Sequence, residues 1–167
     1  MNLLKVLLNN LKFKNSGVTM IELIMVIAVV SILSVASIGS YHTWQKHVML
    51  VNATDELKSA FNLAQGQAIS AAQSNNWGVH LEADYYVIFP GSFYDENNVN
   101  NQRRNFSGIN IINLDSAISD GVGAYTKDVI FAKYTGNTVN VGTLFLAATS
   151  NYSHTKSITI DLNGQVQ

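Results

Sequence analysis

The feature that most constrains this chain is a run of 23 residues, positions 23–45, that carries no formal charge. One acidic residue, Glu22, precedes the run, and Lys46 ends it. A helix rises about 1.5 Å per residue, so a run of this length is long enough to cross a bilayer. A carboxylate at the centre of such a segment costs roughly 2.5–3.5 kcal/mol, and less near the interface. Glu22 therefore needs a compensating partner.

A short basic leader, with lysines at positions 5, 12 and 14, ends at a small residue, Gly17, just before the apolar run. In a secretory signal peptide the apolar region precedes the cleavage site, whereas here it follows the small residue. Two simpler interpretations remain open at this junction. Glu22 could be a favourable charge at a helix N-terminus. The run could also be an ordinary signal anchor, oriented by the leader lysines.

The residues Lys-Asn-Ser-Gly17, followed by Val18-Thr-Met-Ile-Glu22, resemble the prepilin leader and N-terminus of type IV pilins and type II secretion pseudopilins. The resemblance implies that a prepilin peptidase cleaves between Gly17 and Val18 and that the new N-terminus at Val18 is methylated. It also implies that Glu22 faces the N-terminal amine of a neighbouring subunit during assembly. The chain departs from the family at two positions. Val18 stands where Phe or Met is usual, and Gly39 stands where many pilins have a helix-kinking Pro.

The charge and the cysteine content limit what the domain after Gly17 can bind and how it is stabilised. Cleavage after Gly17 would leave 150 residues with 7 basic and 11 acidic side chains, a formal charge of −4. This balance argues against broad attraction to nucleic acid, which requires Lys and Arg to neutralise phosphates. The sequence contains no cysteine, so no disulfide can stabilise the exterior domain.

The pattern predicts that the helix continues beyond the apolar run. No proline interrupts residues 18–72, and apolar or small residues recur at spacings of three or four, which is typical of one helix face. We predict an apolar half over 18–42, for the membrane and then the filament core, and an amphipathic half over 43–73 that packs on a sheet. Two helices with a break near Gly39 or Gly66 are the alternative. The predicted stripe is Leu50, Thr54, Leu57, Phe61, Ala64, Ala68 and Ala71.

From Trp77 onward the hydrophobic period changes to two, which predicts strands in a β-rich globular domain over 74–167. Glu82 to Asp84 are predicted to form a turn, and Asn163-Gly164 is a hairpin signal that would return Gln165 to Gln167 along the last strand. The fold class is therefore α+β, with a long N-terminal helix packed on one antiparallel sheet, which is the pilin fold in the family named above. The predicted strands are Trp77 to Leu81, Tyr85 to Phe89, Gly108 to Asn113, Asp128 to Tyr134, Thr143 to Ala147 and Ser157 to Leu162.

Several softer motifs resemble the FimT/GspH-type minor pilins within this family. They are Trp77-Gly-Val-His-Leu81, a second strand ending near Pro90-Gly91, and the closing Ile158-Thr-Ile-Asp-Leu-Asn-Gly164. The helix segments Asp55-Glu-Leu57 and Gln65-Gly-Gln-Ala-Ile69 are similar as well. This resemblance covers nearly the whole chain after Gly17.

A polar, Asn-rich insert, Gly91 to Ser107, separates two of the predicted strands. Its residues tolerate turn conformations and offer little apolar surface to bury, so we predict a solvated connection. The functional alternative is an exposed recognition loop that contacts a neighbouring subunit or a ligand. If that ligand were DNA, Arg103 and Arg104 would be the candidate contacts. A calcium site at Asp95, Asn97 and Asn100 is disfavoured because Val99 interrupts the alternation of oxygen ligands. We predict no metal site.

Catalytic motifs are absent from the sequence. It has no zinc-ligand spacing, phosphate-binding loop or nucleophile elbow, and a lone histidine on a strand, such as His80, is more often structural than catalytic. The chain is therefore predicted to be a non-enzyme without a cofactor. It would itself be the substrate of the prepilin peptidase.

The resemblance implies a minor pilin or pseudopilin of a type IV pilus or type II secretion system. The alternatives are a major pilin and a filament-tip binding module, either an adhesin or a DNA-uptake receptor. The implied partners are the prepilin peptidase, other pilin subunits, the inner-membrane assembly platform and, before assembly, membrane lipid. The implied location is a single pass of the inner membrane, with the N-terminus cytoplasmic and the globular domain outside. After assembly, the subunit would lie in an extracellular pilus or a periplasmic pseudopilus.

Overall fold

The computed structural model describes residues 17–149 and 151–167, with the side chains of 35–40 and 151–153 excepted. The leader predicted over 1–17 therefore lies outside the described residues, apart from Gly17. The chain divides into two compact units, Met1–His42 and Thr43–Gln167.

One helix, α1, runs from Met20 to Ile69. The prediction of a long helix is confirmed, because the helix continues through both Gly39 and Gly66. It stops where Ala71 takes a left-handed conformation with φ of 51°. A short 3-10 helix, Ala72–Ser74, then leads into the first strand. Among the residues that the structure describes, no helix combines the length and the apolar character that crossing a membrane requires.

The second unit contains two antiparallel sheets, where the sequence predicted one. The strands are β1 (Trp77–Leu81), β2 (Tyr85–Pro90), β3 (Gln102–Asn105), β4 (Ile109–Ile111), β5 (Ile118–Ser119), β6 (Tyr125–Thr126), β7 (Asp128–Phe131), β8 (Gly142–Ala148) and β9 (Asn151–Ile160). The first sheet has the order β3-β2-β1-β7. In the second sheet β8 pairs with β9 along one edge and with β4 and β5 along the other, and β6 lies beyond β5.

The core lies between the amphipathic half of α1 and the two sheets. The predicted stripe from Leu50 to Ala68 is buried, and the side chains of Leu57 and Phe61 have no exposed surface at all. Burying a side chain of this size stabilises the fold by about 1.5–3 kcal/mol. Ala71, the last predicted member of the stripe, is only half-buried because the helix has ended before it.

The closing hairpin forms largely as predicted. Its turn is stabilised by Asp161, whose carboxylate accepts hydrogen bonds from the N–H groups of Asn163 and Gln165, both at 2.9 Å. The predicted return strand is reduced to a single bridge between Ile160 and Val166. Leu162, which the sequence placed in the last predicted strand, is exposed. The reason is that β9 ends at Ile160 and the turn begins there.

Tyr86 on β2 connects the first sheet to the helix. Its side chain is buried, and its hydroxyl donates a hydrogen bond to Glu56 Oε1 on α1 at 3.0 Å. Burial, and then this hydrogen bond and the nearby negative charge of Glu56, raise the pKa of Tyr86 above its usual value.

We expect Tyr86→Phe to lower the free energy of unfolding by about 1 kcal/mol at pH 7, because the hydrogen bond is lost. As pH rises above 10 this difference should shrink, and its sign should reverse by about pH 11. There the unfolded tyrosine ionises while the folded one keeps its proton, so the wild type loses stability as pH rises. Urea unfolding followed by circular dichroism at pH 7 and pH 11 measures both effects. Equal pH dependence of the two proteins above pH 10 would contradict this account.

Candidate functional site

The start of α1 is capped by its own sequence. Residues 17–19 are not helical, and the N–H of Glu22 donates to Thr19 Oγ1 at 3.3 Å while the N–H of Leu23 donates to the Thr19 carbonyl at 3.1 Å. Thr19 and Glu22 stand three residues apart, which is the spacing of a capping box. A carboxylate in the first helical turn is also favoured by the helix dipole. Within the described residues Glu22 makes no ion pair.

The side chains that follow Glu22 are apolar and exposed. Every described side chain from residue 17 to residue 34 is exposed, and Val18 retains 71% of its accessible surface. A helix that is apolar on all sides is stable only when other apolar groups cover it. The exposed apolar side chains are Met20, Ile21, Leu23, Ile24, Met25, Val26, Ile27, Val29, Val30, Ile32 and Leu33.

The two arginines of the insert lie on β3, a strand that the sequence did not predict. Arg103 and Arg104 pair with Val87 and Tyr86 of β2 and are exposed. Successive residues of a strand point to opposite faces, so the structure does not combine them into one basic patch. The Arg103 guanidinium lies over the Tyr85 ring at 3.7 Å, and its Nε donates to Asn105 Oδ1 at 3.1 Å.

The insert is folded back onto the outer face of the first sheet, so the predicted solvated connection is only partly right. Tyr94 stacks on the His80 ring at 4.0 Å and meets the Phe89 ring edge-on at 5.6 Å. Phe89 is buried although it lies outside the core beneath α1. Burial and the neighbouring Tyr85 raise the pKa of Tyr94. The middle of the insert remains exposed, and Val99 keeps 95% of its surface accessible.

A network of charged side chains lies beneath Tyr94, and the sequence did not predict it. Both ring nitrogens of His80 face carboxylates, Nδ1 towards Asp128 and Nε2 towards Glu82 at 3.5 Å. Lys127 Nζ donates to Glu82 at 3.0 Å, and this hydrogen bond raises the pKa of Lys127. The alternation of β1 places His80 on the outer face, but its partners are distant in sequence. The network supports the structural role predicted for His80.

The predicted turn residues of the insert are used in turns. Asp95 Oδ1 accepts from the N–H of Asn97 at 3.0 Å, and Asn98 Oδ1 accepts from the N–H of Asn100 at 2.9 Å. In the part of the chain that the structure describes, no group of three or more His, Cys, Asp or Glu residues is arranged to hold a metal ion.

Comparison with known proteins finds similarity both in the N-terminal sequence and in the fold. A family model described as the prokaryotic N-terminal methylation motif matches residues 12–38. The type IV minor pilin FimU of Pseudomonas aeruginosa PAO1 aligns with a TM-score of 0.52 and 15% identity, over 74% of this chain and 90% of that one. The chain therefore carries the methylation motif and has a fold similar to that of this minor pilin. No curated protein shows significant similarity to this sequence.

A second structural neighbour is the minor pseudopilin EpsH from the type II secretion system of Vibrio cholerae. It aligns with a TM-score of 0.49 and 12% identity, over 71% of this chain and 94% of that one.

Proposed function

We propose that this chain is a minor pilin or pseudopilin, a structural subunit of a type IV pilus or type II secretion pseudopilus rather than an enzyme. The observation that carries the proposal is the methylation motif over residues 12–38, which includes the start of α1. The motif precedes a domain with the pilin fold. The exposed apolar side chains of residues 20–33 are the surface that assembly would bury.

The junction before α1 is suited to processing by a prepilin peptidase. Residues 17–19 are non-helical and exposed, and among the described residues nothing beyond its chain neighbours would lie within 4 Å of a Cβ at Gly17. A peptidase needs an accessible segment of irregular backbone, which these residues provide. Cleavage between Gly17 and Val18 would leave a free amine on Val18, and that amine is the proposed site of methylation.

The proposed role of Glu22 is to pair with the Val18 amine of a neighbouring subunit. In apolar surroundings an unpaired charge is strongly unfavourable, whereas two opposite charges compensate each other. Glu22 has no ion-pair partner among the described residues, so its carboxylate is available for one. Pairing between subunits would fix the axial register of one helix against the next.

Before assembly, residues 18–42 would hold the chain in the inner membrane in a single pass. The uncharged length of 23 residues after Glu22 supports this location, and the leader lysines favour a cytoplasmic N-terminus. The proposed partners are the peptidase, the assembly platform and other pilin subunits. Assembly would then move the apolar helix from lipid into the filament core.

The N-terminus of the protein in its host tests this proposal directly. Intact-mass and peptide mass spectrometry of the membrane-extracted protein should find a chain beginning at Val18, with one methyl group on the amine. A chain that keeps Met1 in cells with an active prepilin peptidase would overturn the proposed processing. The role of Glu22 would then fall with it.

A further inference from the structure

A small cavity in the second unit, which we call the basic cavity, has no role in the proposed assembly. It has a volume of about 60 Å³, several times what a single water molecule needs. Helix α1 supplies one wall and the second sheet supplies the other. Its lining residues are Thr43, Lys46, His47, Leu50, Ala148 and His154.

The sequence spacing explains how the basic cavity forms. Positions 43, 46, 47 and 50 follow the three-and-four spacing of one helix face. Leu50 and Ala148 are buried and form the apolar base, while Lys46, His47 and His154 are exposed around the opening. The result is an apolar floor with polar, nitrogen-bearing side chains at its rim.

The charge around the basic cavity is not neutralised. Lys46, His47 and His154 make no ion pair within the described residues, and the sequence has no Asp or Glu between Glu22 and Asp55. Lys156 lies two residues after His154 on β9 and therefore points to the same face of the strand. By contrast, His80 and Lys127 elsewhere in the unit are matched to carboxylates.

The side chains at the rim are hydrogen-bond donors. A lysine ammonium offers three N–H donors, and an imidazole offers at least one in either protonation state. Such a set fits a ligand with several acceptor oxygens and negative charge. From this chemistry and this size, we propose that the basic cavity binds a phosphate group.

The position of the basic cavity in the chain favours a phospholipid headgroup as the source of that phosphate. Lys46 is the first charged residue after the uncharged run, and in a membrane-anchored chain such a residue lies at headgroup level. This choice of source rests on the proposed function. Free inorganic phosphate offers the same chemistry without a membrane.

Calorimetric titration of the full processed chain in dodecyl maltoside, at fixed ionic strength, distinguishes these sources. The probes are inorganic phosphate, dihexanoyl-phosphatidylglycerol and the zwitterionic dihexanoyl-phosphatidylcholine. We expect saturable binding of phosphatidylglycerol at least tenfold tighter than that of inorganic phosphate. The reverse order would support binding of free phosphate and overturn the headgroup assignment. Absence of saturable binding with all three probes would overturn the site.

Substitutions in the basic cavity test whether the observed binding occurs there. Lys46→Gln, and Lys46→Gln combined with His154→Gln, should each weaken binding at least tenfold. Lys58→Gln, which removes a charge from the same helix outside the cavity, should change it less than twofold. Lys46 is exposed, so its substitution leaves the core intact, and thermal melting verifies this. Equal affinity of the cavity variants and Lys58→Gln would overturn the proposal.

This outcome is separable from that of the proposed function. Cleavage at Gly17 and incorporation into filaments do not require the basic cavity, so Lys46→Gln should be processed and incorporated normally. A wild-type chain that is processed and incorporated but binds none of the probes overturns the phosphate site alone.

Discussion

Replacing Glu22 with alanine is expected to leave the chain in the membrane and to reduce its incorporation into filaments at least tenfold. The substitution makes the apolar segment more apolar, so insertion should be unaffected. In the filament, however, the Val18 amine of a neighbouring subunit would lose its only proposed counter-charge. Removing one partner of a buried ion pair costs about 3–5 kcal/mol, which exceeds the roughly 1.4 kcal/mol that corresponds to a factor of ten.

The measurement is the ratio of subunit in sheared filaments to subunit in the membrane pool, determined by quantitative mass spectrometry. Asp55→Asn is the matched control, because it removes an exposed carboxylate from the same helix outside the apolar run. It should incorporate like the wild type. If Glu22→Ala also incorporates normally while remaining correctly processed, the pairing hypothesis is wrong.

Gly142→Ala is expected to destabilise the globular unit by about 3 kcal/mol, at the upper end of typical overpacking effects. Gly142 begins β8 where three strands meet, because it pairs with Ile118 on one side and with Ile160 on the other. A Cβ at this position would overlap the carbonyl group of Ala117. Since that obstacle is backbone, a change of rotamer cannot relieve it, and β5 would have to move away.

Gly66→Ala provides the matched control in α1. In the part of the chain that the structure describes, no atom outside the helix backbone lies within 4 Å of a Cβ at Gly66. Alanine is favoured over glycine inside a helix by about 0.5–1 kcal/mol. The same chemical change should therefore stabilise the protein at one site and destabilise it at the other. Urea unfolding monitored by circular dichroism measures the free energy of unfolding of both variants. A loss below about 1 kcal/mol in Gly142→Ala, which is less than typical overpacking costs, would contradict the steric argument.

The elements predicted correctly from the sequence are those in which one face is regularly apolar. The stripe from Leu50 to Ala68 repeats with the helix period, and Trp77 to Leu81 lies between clear turn residues, so local pattern was sufficient for both. β3 was missed because Gln102 to Asn105 is entirely polar. It is a strand only because it returns beside β2, and that pairing is a tertiary event.

The same reason explains what was missed around the candidate sites. Gly17, Val18 and Glu22 form a local motif, so a hypothesis about their roles can be made from adjacent residues alone. His80 and Asp128, or Lys46 and His154, are brought together by strand pairing and helix packing across long separations in sequence. Neither pair has a local signature, so one sequence without coordinates could not associate them.

The insert is held against the first sheet on both sides of an exposed middle, which is useful for following this protein in cells. Tyr94 and β3 secure the insert on both sides of Val99, which itself remains almost fully accessible. The sequence contains no cysteine, so Val99→Cys would introduce a unique thiol at a position that contributes nothing to the core. A maleimide dye attached there would report the subunit's location by fluorescence microscopy, without a fusion partner that could obstruct polymerisation.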